Sequence, residues 1–258
     1  MTDEKSNPLT PSQLESFFSE DYFHFGDVVN PPATSDRQAQ AIWELLSLEE
    51  GSSVLELGCG YGRISNRLAE KGARVTGLDN SPTLLKKAGS EAAARGLNVE
   101  YVLGDMRSLP WRDRFDAAFL WYTTFGYFDD ADNQRVLCAV LSSLRKGGRL
   151  LIDHTNPFAV LRHESPISYI WQRDDDLRID IMSNEVLTDR RNCERLVVRD
   201  GCVRRTRLSF RQYGFSELSR ILRSAGFEAV KAYGEEGGAF TCDSPRLVVV
   251  ARKQGQLL

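Results

Sequence analysis

The sequence has little of what marks a specialised class. Its five cysteines, Cys59, Cys138, Cys193, Cys202 and Cys242, are odd in number and never fall in C-x-x-C spacing, which argues against a disulfide framework and a zinc module. They read as reduced thiols. Neither sign of charge dominates: 33 Lys+Arg against 36 Asp+Glu leave a net charge of −3, so the global positive field of a phosphate-neutralising nucleic-acid binder is missing. Long apolar runs are missing too. The longest uncharged aromatic stretch, Ala117 to Phe128, falls well short of the ~20 residues that a membrane-spanning helix needs. The first residues, Met1-Thr-Asp-Glu-Lys-Ser-Asn-Pro, lack a basic region followed by an apolar one, so a cytoplasmic protein with no membrane partner is expected. No segment repeats at the spacing of a solenoid or array.

What is present is an ordinary globular composition, 41% hydrophobic and 27% charged over 258 residues, enough for one core carrying an insertion. Residues 1–35 are rich in Ser, Pro, Asp and Phe, with Leu14, Phe17 and Phe18 at helical spacing, and read as an arm or lid. The domain proper, 36–258, opens with an amphipathic helix from Asp36 (Ala39, Ile42, Trp43, Leu45, Leu46) that Gly51 is placed to stop. Strand patterns at Ser53–Leu57, Arg74–Leu78, Val99–Leu103, Ala117–Trp121 and Arg149–Asp153 then alternate with helical patterns near 62–71, 82–95 and 132–144. Short strands joined by helices predict an α/β, Rossmann-like parallel sheet covered on both faces, with ligands at the carboxyl ends of its strands. The rhythm breaks over 160–213, where charged, extended segments predict an antiparallel β insertion serving as a substrate cap or a homodimer element. Helix Ser216–Ala225, ended by Gly226, and strands Glu228–Tyr233 and Arg246–Ala251 restore the alternation, the last closing the sheet.

The chemistry concentrates at the strand ends. Val54-Leu-Glu-Leu-Gly58-Cys-Gly60-Tyr-Gly62-Arg63 is an apolar strand that carries an acid, Glu56, and turns through glycines that let a ligand approach the backbone. A dinucleotide G-x-G-x-x-G fingerprint would need glycine where Arg63 stands, which disfavours a pyrophosphate cradle. Glu56 suits a cationic ligand instead. Asp79, at the end of the second strand and followed by Asn80, can accept from both hydroxyls of a ribose. Gly104-Asp105-Met106 follows the third strand, where Asp105 can accept from an adenine amine and Met106 can pack on the ring.

In that order, Glu56-Leu-Gly58-Cys-Gly60-Tyr-Gly62-Arg63, Val75-Thr-Gly-Leu-Asp79, Gly104-Asp105-Met106-Arg107 and Leu144-Arg-Lys-Gly147-Gly148 resemble the class I S-adenosylmethionine-dependent methyltransferases. Phe125-Gly-Tyr-Phe-Asp-Asp130, the insertion, Arg211-Gln-Tyr213 and Ser244-Pro-Arg-Leu resemble the bacterial small-molecule branch, including sugar and other N-methyltransferases. The resemblance implies a mostly parallel sheet with an antiparallel last strand, and S-adenosyl-L-methionine as donor, leaving S-adenosyl-L-homocysteine. It also implies Glu56 near the methionine amine, Gly58, Cys59 and Gly60 along the methionine portion, Asp79 and Asn80 at the ribose, and Gly104, Asp105 and Met106 at the adenine. Tyr22 and Arg37 would close on the donor carboxylate from the N-terminal side.

Donor and acceptor should meet at the aromatic stretch after the fourth strand, because aromatic faces favour a sulfonium; Trp121 is expected on the donor and Tyr122 at the chemistry. His154, after the fifth strand, is the candidate general base for a hydroxyl acceptor, whereas a neutral amine would need only alignment. Asp153, His154 and Asn156 lie too close in sequence to make a good metal set, and no metal is expected. The nucleobase motifs Pro-Cys and Asn/Asp/Ser-Pro-Pro-aromatic are absent after the fourth strand. Residues 174–211 hold nine Arg against eight Asp+Glu, which reads as a solvated, ion-paired sheet rather than an RNA surface. The expected function is methyl transfer to a small molecule of secondary metabolism; RNA or protein methylation and NAD(P)-dependent oxidoreduction are the alternatives.

Overall fold

The structure, a computed structural model, describes residues 11–162 and 166–255. The expected arm before Pro11 lies outside them. Three short helices, α1 (Pro11–Phe17), α2 (Glu20–His24) and α3 (Gly26–Val29), precede the longer α4 (Pro32–Leu45). Helix α4 starts before the expected Asp36, since Pro32 in its first turn has no amide to leave unpaired, and it ends well ahead of Gly51. The alternation follows: β1 (Ser53–Leu57), α5 (Ser65–Glu70), β2 (Arg74–Asp79), α6 (Pro82–Ala94), β3 (Glu100–Leu103), β4 (Phe115–Leu120), α7 (Asp130–Ser143) and β5 (Leu144–Thr155). After α8 (Pro157–Val160) come the insertion strands β6 (Ile167–Arg173), β7 (Asp176–Glu185), β8 (Arg190–Arg199) and β9 (Cys202–Arg211), then α9 (Phe215–Ala225), β10 (Phe227–Tyr233) and β11 (Arg246–Lys253).

The strands form a seven-stranded sheet, ordered β10-β11-β5-β4-β1-β2-β3, and a four-stranded sheet in simple sequence order. β1, β2, β3, β4 and β5 pair in parallel, while β11 runs antiparallel to both β5 and β10. The last strand therefore does not sit at the edge as a closing strand; it slots between β5 and β10, which leaves β10 outermost.

Alternating side chains of the central strands feed two apolar layers, one on each face. Leu55, Leu57, Ala118, Leu120, Leu150, Ile152 and Val249 pack on one side with α7 and α9. Val54, Ala117, Phe119, Leu151 and Val248 pack on the other with Ile42 of α4 and Leu68 of α5. The first layer continues into Leu14 and Phe17 of α1 and Cys193, Leu208 and Phe210 of the insertion, so arm and insertion are packed onto the body rather than tethered to it.

Candidate active site

At the carboxyl ends of the parallel strands lies a cavity of about 790 Å³, floored by the loops after β1, β2, β3 and β4 and roofed by α1, α2 and the inner face of the insertion sheet. The floor is built by backbone demands. Gly58 and Gly60 hold φ of +66° and +56°, and a Cβ on Gly58 would run into Thr124. Asp79, buried at the end of β2, accepts from the Gly60 amide at 2.8 Å and the Ser81 amide at 2.9 Å. It thereby ties the glycine turn to the start of α6. A carboxylate has about four lone-pair sites, so Asp79 can still receive ligand hydroxyls.

Glu56 lies buried in β1 and lines the cavity. Burial pushes its carboxyl up to about 8, against the lowering effect of the Ser65 hydroxyl, whose Oγ donates to Oε2 at 2.5 Å. Asp105 is held below the usual carboxylate range by Arg107, which grips both its oxygens at 2.6–3.1 Å. Trp121 is buried at the end of β4, and its indole Nε1 has no hydrogen-bond partner among the described residues.

After Trp121 the chain takes two non-glycine residues, Tyr122 and Thr123, into the left-handed region, at φ of +59° and +62°. Asp153 of β5 enforces this turn: Oδ2 accepts from the Tyr122 amide at 2.7 Å and its backbone oxygen from the Thr123 amide at 3.1 Å. Arg246 of β11 locks the acid with bonds of 2.9 and 2.6 Å and also donates to Thr123 Oγ1. The Tyr122 ring is consequently held in the cavity between the guanidiniums of Arg63 and Arg246, 5.7 and 5.5 Å from its centroid.

Residues 54–148, which carry this floor, match the family model described as a methyltransferase domain. Over these residues the chain is similar to a methyltransferase domain, and its sheet has the class I methyltransferase fold. Demethylmenaquinone methyltransferase of Thermus thermophilus is 36% identical over 111 residues, 42% of this chain and 49% of that protein. The chain spans about half the length of the curated relatives it matches. Among solved structures, the CcbJ methyltransferase of Streptomyces caelestis has a TM-score of 0.81 at 22% identity, covering 96% of this chain and 100% of that one. CalS10, an amino pentose methyltransferase from Micromonospora echinaspora solved with S-adenosylmethionine bound, has a TM-score of 0.63 at 19% identity, covering 94% and 95%.

Of the residues expected at the site, Tyr22, Glu56, Gly58, Cys59, Gly60, Asp79, Asn80, Gly104, Asp105, Met106, Trp121 and Tyr122 all line the cavity. Two do not. Arg37 points along α4 to an exposed ion pair with Glu236, Nε to Oε1 at 2.8 Å, away from the cavity. His154 is fully buried behind β5, with Nε2 3.1 Å from the Arg211 carbonyl and Nδ1 near the Thr155 hydroxyl and carbonyl. Burial pushes its imidazole down to about 4, and the ring wedges between Phe210 and Tyr213. It pins the end of β9 to β5 and does not line the cavity, where a general base would have to act. Its neighbours are scaffolding too: Asp153 serves the Tyr122 turn, and Asn156 Nδ2 donates to the carbonyls of Thr241, Cys242 and Ser244.

The sequence reading missed Arg63, which lines the cavity beside Glu56 and is held by Ser35 Oγ and Gln38 Oε1 at 3.0 and 2.6 Å. It also took the arginines of the insertion for a solvated face. In the structure Arg178, Arg191 and Arg195 are buried and line the cavity, together with Asp180, whose carboxylate takes both Arg178 (3.1 and 2.5 Å) and Arg195 (2.7 and 2.9 Å). The available signal was the period of two: Arg178, Asp180, Met182 and Asn184 alternate with Leu177, Ile179, Ile181 and Ser183, so one face of β7 is polar and the other apolar.

Proposed function

We propose that the protein is an S-adenosylmethionine-dependent methyltransferase whose acceptor is a small molecule, working in the cytoplasm and in secondary metabolism. The carrying observation is the roof: α1, α2 and the insertion sheet cover the cavity that contains the strand-end set, and its volume of about 790 Å³ suits two small ligands side by side. Ion pairs hold the roof together, Asp21 with Arg199 and Arg204 and Asp27 with Arg173.

The donor fits the floor by charge and by unmet hydrogen bonds. Glu56 offers a carboxylate to the methionine ammonium, whose positive charge favours its ionised form. Arg63, which has no carboxylate partner among the described residues, takes the methionine carboxylate in place of Arg37. Asp79 accepts from the ribose, Met106 packs against the adenine, and the unpaired Trp121 Nε1 is available as a donor. When bound, the donor supplies an electrophilic methyl on a sulfonium. The chain's contribution is to exclude water and align: Tyr122, fixed by Asp153 and Arg246, sets the position of the acceptor, and no buried base is required where the acceptor is a neutral amine.

The same reading includes self-association through the outer face of the insertion, where Ile170 and Val203 are exposed beside the half-buried Leu177, Ile179, Leu196 and Val198. Light scattering of the purified chain and of Ile170→Lys tests that part. For the activity, methyl-labelled donor is supplied with a small-metabolite extract and, separately, with bulk RNA and protein. Label in the low-mass fraction is expected, and label only in macromolecules overturns the proposal.

A further inference from the structure

Six arginines line the cavity: Arg63, Arg107, Arg178, Arg191, Arg195 and Arg246. Four are ion-paired within the chain, Arg107 with Asp105 and Asp132, Arg178 and Arg195 sharing Asp180, and Arg246 with Asp153. Among the described residues no carboxylate lies within 4.0 Å of the other two, Arg63 on the floor and Arg191 in the roof. Arg191 is the more exceptional, because it is only 6% exposed and its Nε has no hydrogen-bond partner among the described residues. A buried guanidinium with no carboxylate beside it is costly to keep unless a ligand supplies its counter-charge.

Its setting is specific. Arg191 stands on the inner face of β8, in register with Asn184 on β7 and Phe210 on β9, and its electrostatic partners include the Tyr169 hydroxyl from β6. Tyr169 is stacked on Trp171, with ring centroids 5.9 Å apart. The surroundings therefore offer flat apolar surface around one fixed cation. The methyl donor brings a single carboxylate, which Arg63 can meet beside Glu56. A second guanidinium with no carboxylate partner among the described residues, Arg191, is left on the acceptor side.

We infer that the acceptor carries a carboxylate and that Arg191, with Tyr169 beside it, is its anchor. This rests on the methyltransferase reading above and adds the acceptor's charge to it. The anion fixes the acceptor at the roof so that its nucleophilic atom is presented toward Tyr122, which makes Arg191 a specificity residue rather than a catalytic one.

The test uses the full chain saturated with S-adenosylhomocysteine, which occupies the Arg63 side, and compares benzoate with its neutral isostere benzamide by thermal shift and calorimetry. Benzoate should bind and benzamide should not. Arg191→Met should weaken benzoate on the order of 30-fold or more, leave S-adenosylhomocysteine affinity unchanged, and raise the melting temperature of the ligand-free protein by removing a buried charge that no carboxylate among the described residues balances. Arg191→Lys should retain part of the benzoate response, which guards against a merely structural effect of the Met variant. The inference is overturned if benzoate fails to bind, if benzamide binds equally, or if Arg191→Met spares benzoate. Loss of S-adenosylhomocysteine affinity in Arg191→Met would overturn it as well, by making Arg191 the donor's ligand. If S-adenosylhomocysteine does not bind the unaltered chain at all, the methyltransferase reading itself fails.

Discussion

The two sheets solve opposite problems with the same alternation of side chains. In the seven-stranded sheet both faces of the central strands are largely apolar and both are covered by helices, so the buried acids gather toward the strand ends, where Glu56, Asp79 and Asp153 are held by backbone amides, a hydroxyl or a single arginine. In the insertion sheet the two faces differ, and the polar one is turned inward: Arg178, Asp180, Arg191 and Arg195 are buried while Ile170 and Val203 face out. A charged strand face is solvated only when nothing covers it. Here the body of the protein and α1 cover it, and the charges become the lining of a site.

If that contrast is right, removing an acid should cost most where it restrains two cations at once. Asp180→Ala strands Arg178 and Arg195 in the cavity and should destabilise the protein by ~3–5 kcal/mol, measured by urea unfolding. Replacing all three by apolar residues of similar volume should recover most of the loss. Asp153→Ala strands one arginine and releases the Tyr122 turn, for a loss of about 3 kcal/mol together with a drop in turnover that the Asp180 variant's apolar rescue would not mimic.

A smaller effect belongs to the floor. Asp79→Ala removes the ribose acceptor and the anchor of the Gly60 turn and should weaken donor binding by ~1.5–3 kcal/mol in calorimetry. An unchanged affinity would break the assignment of the floor to the donor.

Stability against pH separates two buried groups with opposite signs. Glu56 keeps its proton in the folded state up to about 8 but sheds it near 4.5 when unfolded, so its contribution is present below 4.5 and is lost as pH rises toward 8. His154 stays neutral down to about 4 when folded and takes a proton near 6.5 when unfolded, so its contribution is present above 6.5 and is lost as pH falls toward 4. The two slopes oppose each other between 4.5 and 6.5, and the Glu56 slope, at most about 1.4 kcal/mol per pH unit, stands alone from there to 8. Melting curves of the ligand-free protein should accordingly fall between pH 6.5 and 8, and Glu56→Gln should flatten that fall. His154→Gln should change the acid side alone, without shifting the pH profile of turnover. The smallest effect is expected at Arg37: its pairing with Glu236 is exposed, and Arg37→Ala should alter stability by less than ~0.5 kcal/mol and leave donor affinity unchanged.

Most of the floor was legible because strand-end glycines and acids are local signals. Glu56, Gly58, Gly60 and Asp79 are read from a strand pattern that breaks into a turn, and the same backbone geometry places them at the cavity. The failures share a different property. His154 follows a strand end just as Asp79 does, but β9 and the 211–213 segment close over it, and no local pattern in β5 announces that. Arg37 was placed by its position near the start of the core, whereas the loop carrying Glu236, nearly two hundred residues later, captures it. The insertion arginines were counted against acids of both faces together, although only the inner face determines what the cavity sees.

The sequence by itself determined the elements, the alternation that makes a parallel sheet with an antiparallel insertion, and the identity of the groups that turn at its strand ends. Those follow from interactions between near neighbours: side-chain period, glycine turns, and caps such as Ser81 and Asp129. Tertiary structure decided the rest, namely β11 entering between β5 and β10, the charged face of the insertion turned inward, Arg63 rather than Arg37 at the floor, and Arg191 left without a carboxylate partner among the described residues. The physical reason is that a charge's meaning depends on what removes water from it. For these residues that desolvation comes from segments far away in the chain.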